Sequence, residues 1–457
     1  MDFADNVKGK AILVAGLARS GVSAAKLLDR SGARVLVSDT KTQQEIPEAA
    51  KELRQDTGCR FFFGKNPDDL VSQVDGIVIS PGIPVDSSFV KKALDLGIPV
   101  ISEVELAYRY NKAPIIAITG TNGKTTTTTL LGEMLKAAGK TTYVVGNIGV
   151  PFTEVAEKTR ADDVVVAEVS SFQLETIDRF KPAISVLLNI TEDHLNRHKT
   201  MENYIAAKSR IFENQDSGGY VILNRDNDIL SRLEPDTEAH VFHFSRKRIL
   251  PGGAWVENGW IMMDIGKGPV RICRTGELAI PGAHNLENAL AAVLAAGIAG
   301  VESAVLAGVL KKFPGVEHRI EKVATIRGVT FYNDSKGTNP DSSIKAIEAM
   351  SGPTVLIAGG MDKKSGFSDF VDAFDDKIKA LVLLGETAGM IAETARKKGF
   401  QNIYRVDSIQ EAVEKSFALS SSGYNVLLSP ACASWDMFRD YEERGRIFKE
   451  AVRTLGR

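Results

Sequence analysis

The stretch "IIAIT" (115–119) runs straight into "GTNGKTTTTT" (120–129) and then into a helix-length segment. A buried strand that ends in a glycine loop and reopens as a helix commits this part of the chain to an α/β layer with a ligand-binding turn at the strand's end. Gly120 and Gly123 let the N–H groups of Thr121, Asn122 and their neighbours curl around phosphates. Lys124 supplies a point charge, Thr125 offers a hydroxyl to Mg²⁺, and Thr126 continues the helix start. The usual G-x-x-x-x-G-K-[ST] spacing would place a glycine at Ile118, so the loop is a variant. The strand before it and the helix after it favour a nucleotide triphosphate site over a chance Gly-Lys-Thr.

Short apolar runs alternate with amphipathic segments along most of the 457 residues, which reads as parallel α/β. That length is too great for one core and predicts three domains. The first unit opens with "KAILVAG", a helix from about 20 to 30, and "ARVLVSD". The segment "YRYNKAP" (108–114) predicts a linker, and so does "KKFPGVEHR" (311–319). Boundaries at 1–111, 112–314 and 315–457 follow. A segment from 254 to 274 predicts a small β-rich insertion, and the Ala-rich 285–299 a buried helix. A net charge of −2 with mixed signs predicts no nucleic-acid partner and no anionic membrane surface. Three dispersed cysteines predict a reduced, cytoplasmic setting, and neither a signal peptide nor a membrane span is expected.

Further polar groups fall at strand ends. "GLARSG" (16–21), with Asp39 closing the next strand, suits either a nucleotide-diphosphate site or a glycine turn without ligand, because Ala18 replaces the middle glycine of G-x-G-x-x-G. "SPGIP" (80–84) ends another strand. Glu168 follows four apolar residues, where a metal-binding carboxylate would sit. His194 lies just past a strand in "NITEDHLNRH". Lys208, in the helix pattern "YIAAKSRIF", reads as a snorkelling lysine. Near the C-terminus "HR" (318–319), "NDSKGTNP" (333–340), "GGMDKK" (359–364) and "SPACASWDMF" (429–438) make a polar, partly cationic face suited to an anion.

In this order "TGTNGKTTTT", "EVSSFQLE", "NITEDHLNRH", "YIAAKSRIF", "PGAHNLENALAA", "HRIE" and "NDSKGTNP" resemble the Mur ligase family of ATP-dependent amide-bond-forming enzymes, over essentially the whole chain. The gap at Ile118 is normal for that family. The resemblance implies an N-terminal Rossmann-like domain, a central P-loop ATPase-like domain and a C-terminal Rossmann-like domain. "SPGIP" with "LSPACASWDMF" is similar to the branch that adds D-glutamate, implying UDP-N-acetylmuramoyl-L-alanine and D-glutamate as substrates. Leu17, Ala18, Asp39, Thr40, Ser80, Pro81 and Gly82 would then hold the uridine diphosphate end, with Asn147, Ser170 and Ser171 along the muramoyl path. Lys124 and the loop amides would hold ATP phosphates. Asn285, Asn288 and His318 would face adenine, and Arg319 and Asp334 phosphate and ribose. Thr125 and Glu168 would hold one Mg²⁺, and His194 and a carbamylated Lys208 a second. Lys336, Thr338, Lys363, Ser429 and Phe438 would position D-glutamate, with Lys364 able to replace Lys363. A monomer is expected.

Three other readings are weaker. A folylpolyglutamate synthetase-like enzyme shares the loop and lysine but does not need about 110 residues before them. An NAD-dependent oxidoreductase leaves the phosphate loop, Glu168 and His194 unexplained. A non-catalytic nucleotide switch has no use for the C-terminal polar face.

Overall fold

The computed structural model describes residues 6–147, 149–362 and 366–455. The chain divides into two compact units, Met1–Gly276 with Glu287–Val309, and Glu277–Leu286 with Leu310–Arg457. The first unit holds two sheets and the second holds one.

The first sheet comprises β1 (Ala11–Ala15), β2 (Arg34–Asp39), β3 (Arg60–Phe63), β4 (Gly76–Ile79) and β5 (Val100–Ser102), in the order β3-β2-β1-β4-β5 and all parallel. The strand "AILVA" is buried at every residue because helices cover both faces. The order reverses between β1 and β4, so the crevice beyond Ala15 and Ile79 is where a doubly wound sheet takes its ligand. The helix Glu103–Tyr110 follows β5 directly and includes Tyr108, Arg109 and Tyr110, which the sequence assigned to a linker. The Glu105 carboxylate explains the difference. It accepts the backbone N–H groups of Asp178 and Phe180 at 2.9 and 2.8 Å and pairs with Arg109 at 2.5 Å, so this helix is fastened to the central layer.

The central sheet contains β6 (Ile115–Thr119), β7 (Thr142–Gly146), β8 (Val164–Glu168), β9 (Ile184–Leu187), β10 (Tyr220–Asn224), β11 (His240–Ser245), β12 (Gly253–Glu257), β13 (Trp260–Asp264) and β14 (Val270–Arg274). Their order is β14-β13-β12-β11-β10-β9-β6-β8-β7. The β-rich segment therefore extends the central sheet itself, with β13 and β14 antiparallel at its edge. The second unit's sheet runs β15-β16-β20-β17-β18-β19, from β15 (Glu321–Ile326), β16 (Val329–Asn333), β17 (Thr354–Ala358), β18 (Ile378–Leu383), β19 (Ile403–Arg405) and β20 (Asn425–Leu428). Only β15 pairs antiparallel. Three α/β layers of parallel strands are the expected fold class. No helix among the described residues is long and apolar enough to cross a membrane.

Candidate active site

The loop between β6 and the helix Lys124–Ala137 is held from one side by the end of β9. Thr121 and Asn122 donate their backbone N–H groups to the Asn189 carbonyl and Oδ1 at 2.9 and 2.8 Å. The Thr121 hydroxyl lies 3.2 Å from the Tyr204 hydroxyl. Gly123 has φ of 85°, and a Cβ there would fall 2.2 Å from Asn288 Oδ1, so glycine is required both by conformation and by space. Lys124 curls back, its Nζ donating to the Gly120 and Thr121 carbonyls at 2.7 and 2.8 Å. Asn122 and Thr125 sit in the same turn, Thr125 almost fully buried. The threonines at 126, 127 and 128 are buried as well.

Lys208 is 2% exposed, so the snorkelling arrangement does not occur. Its Nζ donates to the Gly120 carbonyl at 2.9 Å, the oxygen that Lys124 also uses. It lies 4.7 Å from the centroid of the Tyr204 ring, one helical turn before it. Burial first, and then the Lys124 ammonium, push the Lys208 amine far below its usual pKa, against the pull of Asp193 and Glu168. Glu168 ends β8 as expected. Its Oε1 accepts from the Asn147 side chain at 3.0 Å, while Oε2 is buried with no hydrogen-bond partner. An orphaned carboxylate oxygen beside a phosphate loop fits a divalent cation. A lysine ammonium in the same pocket does not. His194 stands at the head of the four-residue helix Leu195–His198, exposed, with Nε2 3.5 Å from Asp193 Oδ2.

A cavity of about 690 Å³ lies at the reversal point of the first sheet. Leu17, Ala18, Asp39, Thr40, Ser80, Pro81, Gly82 and Asn147 all line it, so residues scattered over 130 positions of sequence meet in one place. Asp39 accepts the Leu17 N–H at 2.8 Å and so shapes the glycine turn. Ser170 and Ser171 do not line the cavity, but Gln173 does, and it closes a capping box with Ser170. Gln173 Nε2 also donates to Glu103 Oε1 at 2.7 Å. Glu103 is buried in the cavity's lining, its Oε2 unpartnered, and burial raises its carboxyl pKa to about 7. Sequence reasoning missed Glu103, Gln173, Asn189 and Tyr204. Two of them carried a signal: Tyr204 in its spacing of four from Lys208 on one helix face, and Gln173 in the S-x-x-Q capping pattern that begins at Ser170.

In the second unit His318 has φ of 65° and is packed under the helix Tyr441–Leu455, where a Cβ on Gly445 would meet its Nδ1 at 2.2 Å. Its Nδ1 lies 2.8 Å from the Asn333 amide. Asp334 is buried, which raises its carboxyl pKa to about 7, and it accepts from the Ser429 hydroxyl at 2.7 Å and the Ile320 N–H at 3.2 Å. Arg319 Nε is buried without a partner. Lys336 Nζ lies 5.2 Å from the centroid of the Tyr441 ring, and the Thr338 N–H closes a turn on the Lys336 carbonyl. Ser429 is fully buried between Asp334 and Ser343, and the partly buried Phe438 packs against the sheet's core. Asn285, in the helix Ala283–Ile298, donates to the Pro281 carbonyl at 2.6 Å. Lys363 and Lys364 lie outside the described residues.

Comparison with known proteins adds to this geometry. Three family models match, in chain order: the Mur ligase MurD-like N-terminal domain at residues 10–102, the Mur ligase middle domain at 118–296, and the Mur ligase, glutamate ligase domain at 318–432. A protein of Thermoanaerobacter sp. (strain X514) named UDP-N-acetylmuramoylalanine--D-glutamate ligase is 52% identical, over 99% of this chain and 100% of its own. A protein of the same name from Clostridioides difficile (strain 630) is 46% identical over 98% and 100%. Among solved structures, MurF ligase from Thermotoga maritima in complex with ADP has a TM-score of 0.60 at 14% identity, covering 100% of both chains. UDP-N-acetylmuramate-alanine ligase MurC from the same organism has a TM-score of 0.61 at 20% identity, covering 98% of this chain and 99% of its own. These two likenesses speak for the fold alone, and the full-length relatives for the family: the chain belongs to the Mur ligase family.

Proposed function

We propose that this chain joins D-glutamate to UDP-N-acetylmuramoyl-L-alanine in the cytoplasm, as a monomer, with ATP converted to ADP and phosphate. The observation that carries the reading is the 52% identity, end to end, with a relative named for that reaction. The phosphate loop and the cavity at the sheet reversal support it, since the reaction needs one seat for ATP and one for a nucleotide-sugar.

The alanyl carboxylate attacks the γ-phosphoryl group, giving an acyl phosphate and ADP. The D-glutamate amine then attacks the carbonyl carbon, loses a proton, and phosphate leaves. Two anions must meet in the first step, so alignment and charge neutralisation matter more than a nucleophilic side chain. Residues 1–111 would seat the uridine diphosphate end, residues 112–314 ATP, and residues 315–457 D-glutamate. Lys124 and the loop amides would bind phosphate oxygens. Two Mg²⁺ ions, when bound, neutralise phosphate charge; Thr125 with Glu168 would hold one, and His194 with Lys208 the other. Arg319 and Asp334 would hold phosphate and ribose, with Asn285, Asn288 and His318 toward adenine. Lys336, Thr338 and Lys363 would meet D-glutamate, with Ser429 and Phe438 supporting them.

Lys208 enters this scheme as a carbamate. Two lysine nitrogens share the Gly120 carbonyl, and burial biases the Lys208 amine toward its neutral form, the form that adds CO₂ with loss of a proton. The resulting anion suits a cation where an ammonium repels one. Mass spectrometry of the intact chain under bicarbonate is expected to show the added CO₂, and Lys208→Ala to lose both it and turnover; unimpaired turnover in that variant excludes the role. The activity itself is tested by phosphate release. Release that requires ATP, UDP-N-acetylmuramoyl-L-alanine and D-glutamate together is expected, and release without the last two, or with a folate in their place, overturns it.

A further inference from the structure

The turn that carries His194 is strained at both ends. His194 has φ of 56° and Lys199 φ of 71°, with only Leu195–His198 helical between them. Residues other than glycine keep such conformations where their surroundings over-determine them. Here the surroundings converge on one carboxylate, that of Glu175. Arg197 Nη2 donates to Glu175 Oε2 at 2.5 Å and to the Ile83 carbonyl at 2.8 Å. His198 Nδ1 lies 3.4 Å from the other oxygen, Oε1, and its Nε2 lies 2.9 Å from the Ser171 hydroxyl. The Phe172 ring backs the assembly, 4.9 Å from the His194 ring and 5.0 Å from the Arg197 guanidinium.

The pairing is largely withdrawn from solvent, with the Arg197 and Glu175 side chains each 13% exposed and His198 buried. Screening is therefore weak, and removing one partner leaves the others unsatisfied. The carboxylate favours the His198 tautomer with hydrogen on Nδ1, which leaves Nε2 to accept from Ser171. Ile83 lines the 690 Å³ cavity, so the same arginine that braces the turn also touches the wall of the nucleotide-sugar seat.

We infer that Glu175 is a positioning residue: through Arg197 and His198 it clamps the His194 turn and ties that turn to the cavity wall at Ile83. The inference rests on the role proposed above for His194. Glu175 acts through its neighbours and does not contact the reacting atoms.

The test uses the full chain, with Glu175→Gln and Glu175→Ala compared with His194→Ala. Steady-state rates are measured, together with the ring resonances of the six histidines by NMR, His194 being assigned by its variant. Both Glu175 variants are expected to lower kcat by about tenfold to a hundredfold, with a smaller rise in KM for the nucleotide-sugar substrate. The His194 and His198 resonances should move while the other four stay. Normal kcat in both Glu175 variants, with His194→Ala inactive, overturns the clamp and leaves the role of His194 standing. An active His194→Ala overturns that role and the clamp with it. Collapse of all six resonances in both Glu175 variants also overturns the clamp, because it marks a general prop of the fold.

Discussion

Two turns of the first unit share a plan and differ in what they hold out to a ligand. Gly16 after β1 has φ of 87°, and Gly123 before the helix Lys124–Ala137 has φ of 85°. At the first, Asp39 takes the Leu17 N–H and no lysine stands in the turn; Arg19 reaches instead to the Gly149 carbonyl at 2.7 Å. At the second, Asn189 fixes the loop backbone while Lys124 folds over it. A carboxylate at a glycine turn favours hydroxyl or imide donors over phosphate oxygens; a lysine does the reverse. Each turn also has a buried ionisable group that burial biases toward its neutral form, Glu103 beside the first and Lys208 beside the second. On the proposed function the same backbone device would serve a sugar-nucleotide at one turn and a triphosphate at the other, with the side chains deciding which.

The contrast breaks first at Gly123. Both glycines are left-handed, but a Cβ on Gly123 meets Asn288 Oδ1 at 2.2 Å, whereas a Cβ on Gly16 meets the Ser80 side chain at 2.9 Å and Ile83 Cδ1 at 3.2 Å. Gly123→Ala should therefore cost about a hundredfold to a thousandfold in kcat, through misplaced phosphate donors. Gly16→Ala should raise KM for the nucleotide-sugar and spare kcat. Steady-state kinetics on folded variants decide it, and equal effects on both constants would erase the distinction between the turns.

What was legible in the sequence was local. Strand, glycine and helix follow one another in "IIAITGTNGKT", so the loop could be placed from adjacent residues. The strand-end rule singled out Asp39 and Ser80, and these line one cavity together with Leu17 and Asn147, which the family resemblance supplied. What was not legible depends on which side of a strand end a residue faces. Ser429 follows β20 as expected, yet the chain turns it inward onto Asp334, while Phe438 stays only partly buried against the core. Lys208 shows the same limit. Its helix pattern allows a snorkelling side chain, and only the β6 loop packed above it makes it buried. Tyr108–Tyr110 looked like a linker because its residues are polar and aromatic, and the ion pair that keeps Arg109 helical lies with Glu105 and the distant Asp178.

A smaller effect sharpens the first turn. Asp39 shapes the loop through Leu17 and Lys41, whose N–H groups it accepts at 2.8 and 2.9 Å, and it lines the cavity. Asp39→Ala should raise KM for the nucleotide-sugar by about tenfold, the value of one charge-assisted hydrogen bond, with KM for ATP unchanged. Isothermal titration with each ligand separates the two. A matching loss of ATP affinity would mean that Asp39 supports the whole unit and not this turn alone.

The smallest expected effect concerns Glu103 and is read without any substrate. Burial raises its carboxyl pKa from 4.5 to about 7, so between those pH values the folded chain holds a proton that the unfolded chain has released. Stability contributed by this group is fully present below about pH 4.5 and falls as pH rises toward 7, where the buried carboxyl ionises. Above that the loss is complete, on the order of 3 kcal/mol before any relaxation of the cavity. Glu103→Gln cannot ionise and can still meet Gln173, so its thermal midpoint should gain on that of the native chain between pH 5 and pH 8. The other buried carboxyl near 7, that of Asp334, is common to both proteins and cancels in the difference. Parallel midpoints across that range would mean that Glu103 keeps its charge in the fold, paired through rearrangement of the cavity wall. The first turn would then carry two carboxylates, and the distinction from the lysine-bearing loop would be sharper than burial alone makes it.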